Sequence, residues 1–166
     1  MAIADLSTAT STIDVAGFTS VVGDVNVTLD ITHTEDSDLD VTLISPDGTS
    51  VLLFSGVGAG GADFTNTVLD DEAATAIGAG APPFTGTFSP QGLLADFDGE
   101  TANGVWTLQI TDTLALETGT LNSWSLDITG VDTIVQIDRE DGSSTPIGAL
   151  TDIFDHRFVN QTPQIA

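Results

Sequence analysis

Strict period-two alternation is the feature that most constrains this chain. Val25, Val27, Leu29 and Ile31 are separated by Asn26, Thr28 and Asp30. Leu39, Val41 and Leu43 enclose Asp40 and Thr42. Trp106, Leu108 and Ile110 alternate with Thr107 and Gln109, and Trp124, Leu126 and Ile128 with Ser125 and Asp127. Successive side chains of a strand point to opposite faces, so each run predicts a strand with one buried and one wet face. Antiparallel sheets tolerate that arrangement and parallel sheets rarely do.

Turn chemistry falls between the runs. Ser45-Pro46-Asp47-Gly48 predicts a hairpin loop between the Leu39 strand and Val51-Leu52-Leu53-Phe54. Thr118-Gly119 predicts a second hairpin, joining the Trp106 and Trp124 strands. Residues 56–61 and 79–83 read as Gly- and Pro-rich loops. Helical signal is confined to a turn capped by Asp70 or Asp71 and another over residues 93–97. Many short strands with little helix predict an all-β sandwich over residues 1–130. Composition changes near Gly130. Residues 131–166 read as an extension in which Thr133 to Asp138 form a further strand before an Asp141-Gly142 turn. That extension could add a hairpin, link to another segment, or offer a strand for self-association.

Charge narrows the partners. The net charge is -23, there is no Lys, and the two basic residues are Arg139 and Arg157. The first 138 residues therefore hold no fixed cation, which disfavours nucleic acid and anionic membranes. No apolar run is long enough to span a bilayer, so membrane insertion is not expected. The N-terminal residues show no signal peptide; one already removed, an excised segment or another export route are all compatible with that. Cys is absent, so packing or metal must do what disulfides do in many extracellular domains.

Catalysis fits poorly. There is no Gly-x-Ser-x-Gly elbow and no His-Glu-x-x-His pair. His33 reads as a polar residue at a strand end, and His156 lies in the extension. Carboxylate pairs are too abundant for any one to mark a glycosidase. The chain is therefore expected not to be an enzyme. Residues 56–61 are not a phosphate loop, since no Lys follows.

Calcium is the favoured ligand. Asp outnumbers Glu 20 to 5, and the short carboxylate suits a compact oxygen cage. Asp36, Asp38 and Asp40 form Asp-x-Asp-x-Asp, but Val41 stands where an EF-hand needs Gly, leaving a strand-entry acid cluster. Asp70-Asp71-Glu72 is a second cluster, and Asp112 ends the Trp106 strand. Asp38, Asp40, Asp70, Asp71 and Asp112 are the candidate Ca2+ ligands. Solvated turn acids and helix caps are the alternative reading.

The order of these segments is itself informative. His33-Thr34 leads to Ser37-Asp38-Leu39-Asp40-Val41, and Ile44-Ser45-Pro46-Asp47-Gly48-Thr49 follows. Then come Asn66-Thr67-Val68-Leu69-Asp70-Asp71-Glu72, Pro83-Phe84-Thr85-Gly86-Thr87-Phe88 and Asn103-Gly104-Val105-Trp106. Last is Thr118-Gly119-Thr120-Leu121-Asn122-Ser123-Trp124. In this order they resemble the P domain, or Homo B domain, that follows the catalytic domain of proprotein convertases and bacterial subtilisin-like serine proteases. The resemblance covers residues of about 10–130. It implies an antiparallel jelly-roll β-sandwich of the galactose-binding-like kind. It also implies a non-catalytic module, located outside the cell or at its surface, that stabilises or regulates a protease domain, often with calcium. Two alternatives stand beside it: a structural or adhesive subunit of a calcium-dependent surface assembly, and a carbohydrate-binding module. Trp106 and Trp124 could stack on sugars, but both are in phase with apolar neighbours and read as core.

Overall fold

The computed structural model describes residues 1–132 and the backbone of residues 136–137 and 144–145. Two compact units divide the chain, Met1–Asp132 and Thr133–Ala166. In the first, β1 (Ala2–Ile3), β3 (Val21–His33), β6 (Phe64–Leu69), β7 (Phe84–Phe88) and β9 (Gly119–Val131) make a five-stranded sheet in the order β1-β9-β3-β6-β7. A four-stranded sheet holds β2 (Thr8–Val15), β4 (Leu39–Ile44), β5 (Ser50–Ser55) and β8 (Gly104–Asp112) in the order β2-β8-β4-β5. The all-β sandwich expected from alternation is present. All pairings are antiparallel except β6 with β7, which run parallel. In the second unit, β10 (Gln136–Ile137) pairs antiparallel with β11 (Ser144–Thr145). The remaining expectations for the extension, including self-association, fall outside the described residues.

The alternating runs bury the faces their patterns predict. Val25, Val27, Leu29 and Ile31 of β3, and Trp106, Leu108 and Ile110 of β8, are all buried. Between the sheets, Phe64 lies stacked between Phe54 and Phe84, with centroids at 4.5 and 4.8 Å. Trp106 is fully enclosed, edge-on to Phe97 at 5.1 Å, and its indole N–H donates to the Ala102 carbonyl at 2.9 Å. Such a ring can be buried because its one polar atom keeps a partner. Trp124 differs from expectation: it packs on the core but stays half-buried, its N–H donating to Ser11 Oγ at 2.9 Å.

The 45–49 loop behaves as predicted. β4 and β5 pair antiparallel, Gly48 takes φ +94°, and its N–H donates to the Ser45 carbonyl at 3.1 Å. That left-handed conformation suits Gly because it has no Cβ to clash. The second predicted hairpin does not form. β8 pairs with β2 and β4, whereas β9 pairs with β3 and β1, so residues 113–118 cross from one sheet to the other. Two alternating strands joined by a short Gly-containing link satisfy either topology. Which neighbour each takes is settled by non-local pairing, with β9 following β3 from Val21 to His33. The expected helical turns are one 3-10 turn at Leu94–Phe97 and a single backbone bond from Ala73 N–H to the Asp70 carbonyl.

Candidate functional site

Two acidic clusters lie at opposite ends of β3. Nine residues of strand separate Asp24 from His33, roughly 30 Å at about 3.3 Å per residue. The candidate ligands are divided between these ends and do not form one site.

At the His33 end, alternation carries His33 inward, in phase with Ile31, and leaves it fully buried. β8 does the same with Asp112 after Ile110. His33 Nε2 meets Asp112 Oδ2 at 3.3 Å, and Nδ1 lies 2.8 Å from the Glu35 carbonyl oxygen. The Glu35 N–H also points at Nδ1, at 3.3 Å, so the backbone of Glu35 flanks that nitrogen with both a donor and an acceptor. Both ring nitrogens are thereby engaged, which leaves neither free to serve a nucleophile as a triad histidine would.

The short 3-10 turn Asp36–Asp38 follows, and both its acids are buried. The Asp36 N–H donates to the Gly61 carbonyl at 2.8 Å, and Asp36 Oδ1 accepts from the Asp63 N–H at 2.9 Å. Gly58, at φ +98°, lets the loop close over this turn, since a Cβ there would stand 2.8 Å from the Asp36 Cβ. Asp36 Oδ2 is buried with no hydrogen-bond partner. Burial, with the nearby Asp63 and Glu35 carboxylates adding to it, pushes the Asp36 carboxyl up to about 7. The neighbouring Asp38 carboxyl is also raised, by burial first and then by Glu35 and Asp112. Its main-chain carbonyl accepts from the N–H and Oγ1 of Thr113, both at 2.8 Å, tying this turn to the end of β8.

Asp38 and Asp112 therefore come together. Asp40 does not join them: it sits on the opposite face of β4 from buried Leu39 and Val41, half-buried in register with Thr111 and Ser55.

Asp70 and Asp71 belong to the other end. Asp70 Oδ1 accepts from the Glu72 N–H at 2.8 Å, and Asp71 Oδ2 from the Ala95 N–H at 2.8 Å. The electrostatic neighbours of these acids are Asp24 and Asp98. Asp24 is raised by burial and then by Asp70, with Asp127 and Asp71 contributing. Asp98 is raised by burial and then by Asp24 and Asp71. Glu72 is raised chiefly by its hydrogen bond to Asp70.

Among the described residues, no three His, Asp or Glu side chains converge closely enough to hold a metal by themselves. A calcium ion takes six to eight oxygens and accepts backbone carbonyls and hydroxyls, so two acids can anchor one. The His33 end fits that requirement in one specific respect. A buried carboxylate oxygen without a partner demands a proton or a cation, and Asp36 Oδ2 is such an atom.

Sequence reasoning places Asp36 in the strand-entry acid cluster without naming it a ligand, and misses His33, Asp24 and Asp98 as members of these clusters. For His33 the signal was available, because position 33 continues the apolar phase of Val25 to Ile31. No local pattern marks Asp24 or Asp98, which join Asp70 and Asp71 only through tertiary structure.

Among the described residues, no helix is long and apolar enough to cross a membrane. No curated protein matches the chain. Solved structures do, and two of them are of one bacterial serine protease. The serine protease of Aeromonas sobria is 25% identical with a TM-score of 0.51, over 78% of this chain and 24% of that one. The same protease in complex with the chaperone ORF2 is 26% identical with a TM-score of 0.53, over 79% and 24%. The chain thus spans about a quarter of the length of the proteins it matches. The proprotein convertase P-domain model matches residues 22–128, which run from the start of β3 to near the end of β9 and include both acidic ends. The sandwich, the ordered motifs and this match lead to one conclusion: the chain belongs to the proprotein convertase P-domain family.

Proposed function

We propose that this chain is a non-catalytic P-domain module that stabilises or regulates a subtilisin-like serine protease domain outside the cell. The observation that carries the reading is the family match over residues 22–128. The serine protease of Aeromonas sobria gives the context, since the shared sandwich is a quarter of a longer protease chain. The doubly engaged His33 agrees with a role that involves no chemistry. The test is to combine the chain with the subtilisin-like catalytic domain of its own source and follow thermal inactivation. The half-life of the protease should lengthen. An unchanged half-life, with the sandwich folded, removes the reading.

Calcium is the ion this module would hold, at the His33 end. Asp36 and Asp38 would supply carboxylates there, with Asp112 steadying the site through His33. The partnerless oxygen of Asp36 and the raised carboxyls of Asp36 and Asp38 support that placement. Calorimetric titration of the full chain with calcium should give binding that Asp38→Asn weakens and Asp71→Asn leaves intact. Loss through Asp71→Asn alone would move the ion to the other end.

A further inference from the structure

Both sheets end on the same side of the sandwich in a strand with an open flank. β9 is next to last in its sheet, but β1 covers it only at Gly119 and Thr120, with Met1 bonded to Leu121 just beyond. β2 ends the other sheet. The bond from Trp124 Nε1 to Ser11 Oγ sets the two strands across from one another. The far side is closed differently. There the N–H groups of Gln91 and Gly92 donate to the carbonyls of Leu53 and Leu52 in β5, and the Gln91 amide brackets Ser55. Ser89, just past β7, is bridged to Ala76. Among the described residues, no backbone bond reaches the outer flank of β9 over residues 122–129.

Exposed edges are ordinarily guarded by Lys, by Pro or by charges pointing inward. Residues 122–129 contain no Lys and no Pro, and their inward row is Trp124, Leu126 and Ile128. These three pack on the core but are only partly covered. The outward row includes Asp127, and on the adjacent β3 Asp24 and Asp30 face Thr129 and Ser123 in register. The flank is apolar on its inner side and acidic on its outer side, in a unit without Lys or Arg.

We propose that the outer flank of β9, residues 122–129, is a strand-addition site for an extended basic segment of a partner protein, one that alternates apolar side chains with Lys or Arg. Main-chain bonds would supply the docking, as in other strand additions, and the alternation the specificity. Apolar residues would complete the row beside Trp124, and basic ones would lie beside Asp127. A second copy of this chain is the poorer occupant, since it brings a charge of -23 and another Asp127 to the same edge.

The test uses the full chain and an eight-residue peptide alternating Val and Lys, at near-physiological salt. Hydrogen exchange should slow at those amides of residues 122–129 that face away from β3, and Trp124 fluorescence should change. A backbone N-methylated version keeps the charge but cannot form the ladder. It should bind at least about tenfold more weakly, the equivalent of one or two net hydrogen bonds. A Val and Glu version should not bind. Equal binding by the N-methylated peptide overturns the proposal, as does slowing elsewhere on the acidic surface. So does finding these amides already protected without peptide, by a second copy or by residues 133–166. None of these outcomes depends on an ion at the His33 end.

Discussion

His33 and Asp112 close one end of the sandwich as a fully buried pair, Nε2 to Oδ2 at 3.3 Å, across 79 residues of sequence. The contact joins the last residue of β3 to the last of β8, and so one sheet to the other. Removing one member of such a pair strands the other without a partner, which costs about 3–5 kcal/mol. His33→Ala should show that loss in chemical denaturation. His33→Leu combined with Asp112→Leu should lose less than the two single changes together, because no polar group is left unpaired.

Gly119 sits opposite His33 in the β3–β9 register. A Cβ at Gly119 would overlap the His33 ring and the Thr32 carbonyl. Gly119→Ala should therefore destabilise by about 1–3 kcal/mol, the usual cost of overpacking. The His33 imidazole resonances should shift with it. Unmoved resonances would show that the strand, and not the ring, gives way.

Phe64 is the middle of the stack of Phe54, Phe64 and Phe84. Phe64→Ala should cost about 3–5 kcal/mol by opening a cavity between two rings. Phe64→Leu should cost distinctly less. Urea midpoints at an unchanged slope would read both values.

The raised carboxyls set a pH dependence. Asp36 titrates near 7 when folded against 3.8 when free, and Asp24, Asp38 and Asp98 also titrate above their free value. Between those values the folded state binds more protons than the unfolded state, so stability falls as pH rises. With chelator present, the melting temperature should drop from about pH 4 towards pH 7. Asp36→Asn should flatten the part of that slope nearest neutrality. A profile that rises over this window would contradict the burial of Asp36.

Calcium should oppose the same trend. An ion at a hundred times its dissociation constant stabilises by about 2.7 kcal/mol, so the melting temperature near neutral pH should rise on addition and return with chelator. Asp36→Asn and Asp38→Asn should remove the rise, and Asp40→Asn should not, since Asp40 faces away from the buried pair. A rise that survives both changes would place the ion elsewhere.

The strands were legible because each has one buried face, and alternation reports that face directly. Ser45 to Thr49 were legible because Pro, Asp and Gly encode a turn locally. Sheet membership was not. The phase of Trp106 and of Trp124 says which side chains go inward, but nothing about the partners of β8 and β9, and so the second hairpin was misplaced. The acid clusters follow the same rule. Asp38 and Asp112 could be named as strand-end acids, whereas Asp24 and Asp98 meet Asp71 only once β3, the turn after β6 and the Leu94–Phe97 turn are assembled. His33 shows the limit of residue type as evidence, because its phase argued for burial and its polarity argued against it.

The pairing of β3 with β9 has a consequence in time. β3 runs antiparallel along β9 from Val21 opposite Val131 to His33 opposite Gly119. The longest ladder of the sandwich thus waits on its most distant partner. Pairings so far apart in sequence close late and slow the search for the native state. On the ribosome, that flank of β3 can pair only as residues 119–131 emerge, so the longest ladder of the sandwich closes late in synthesis.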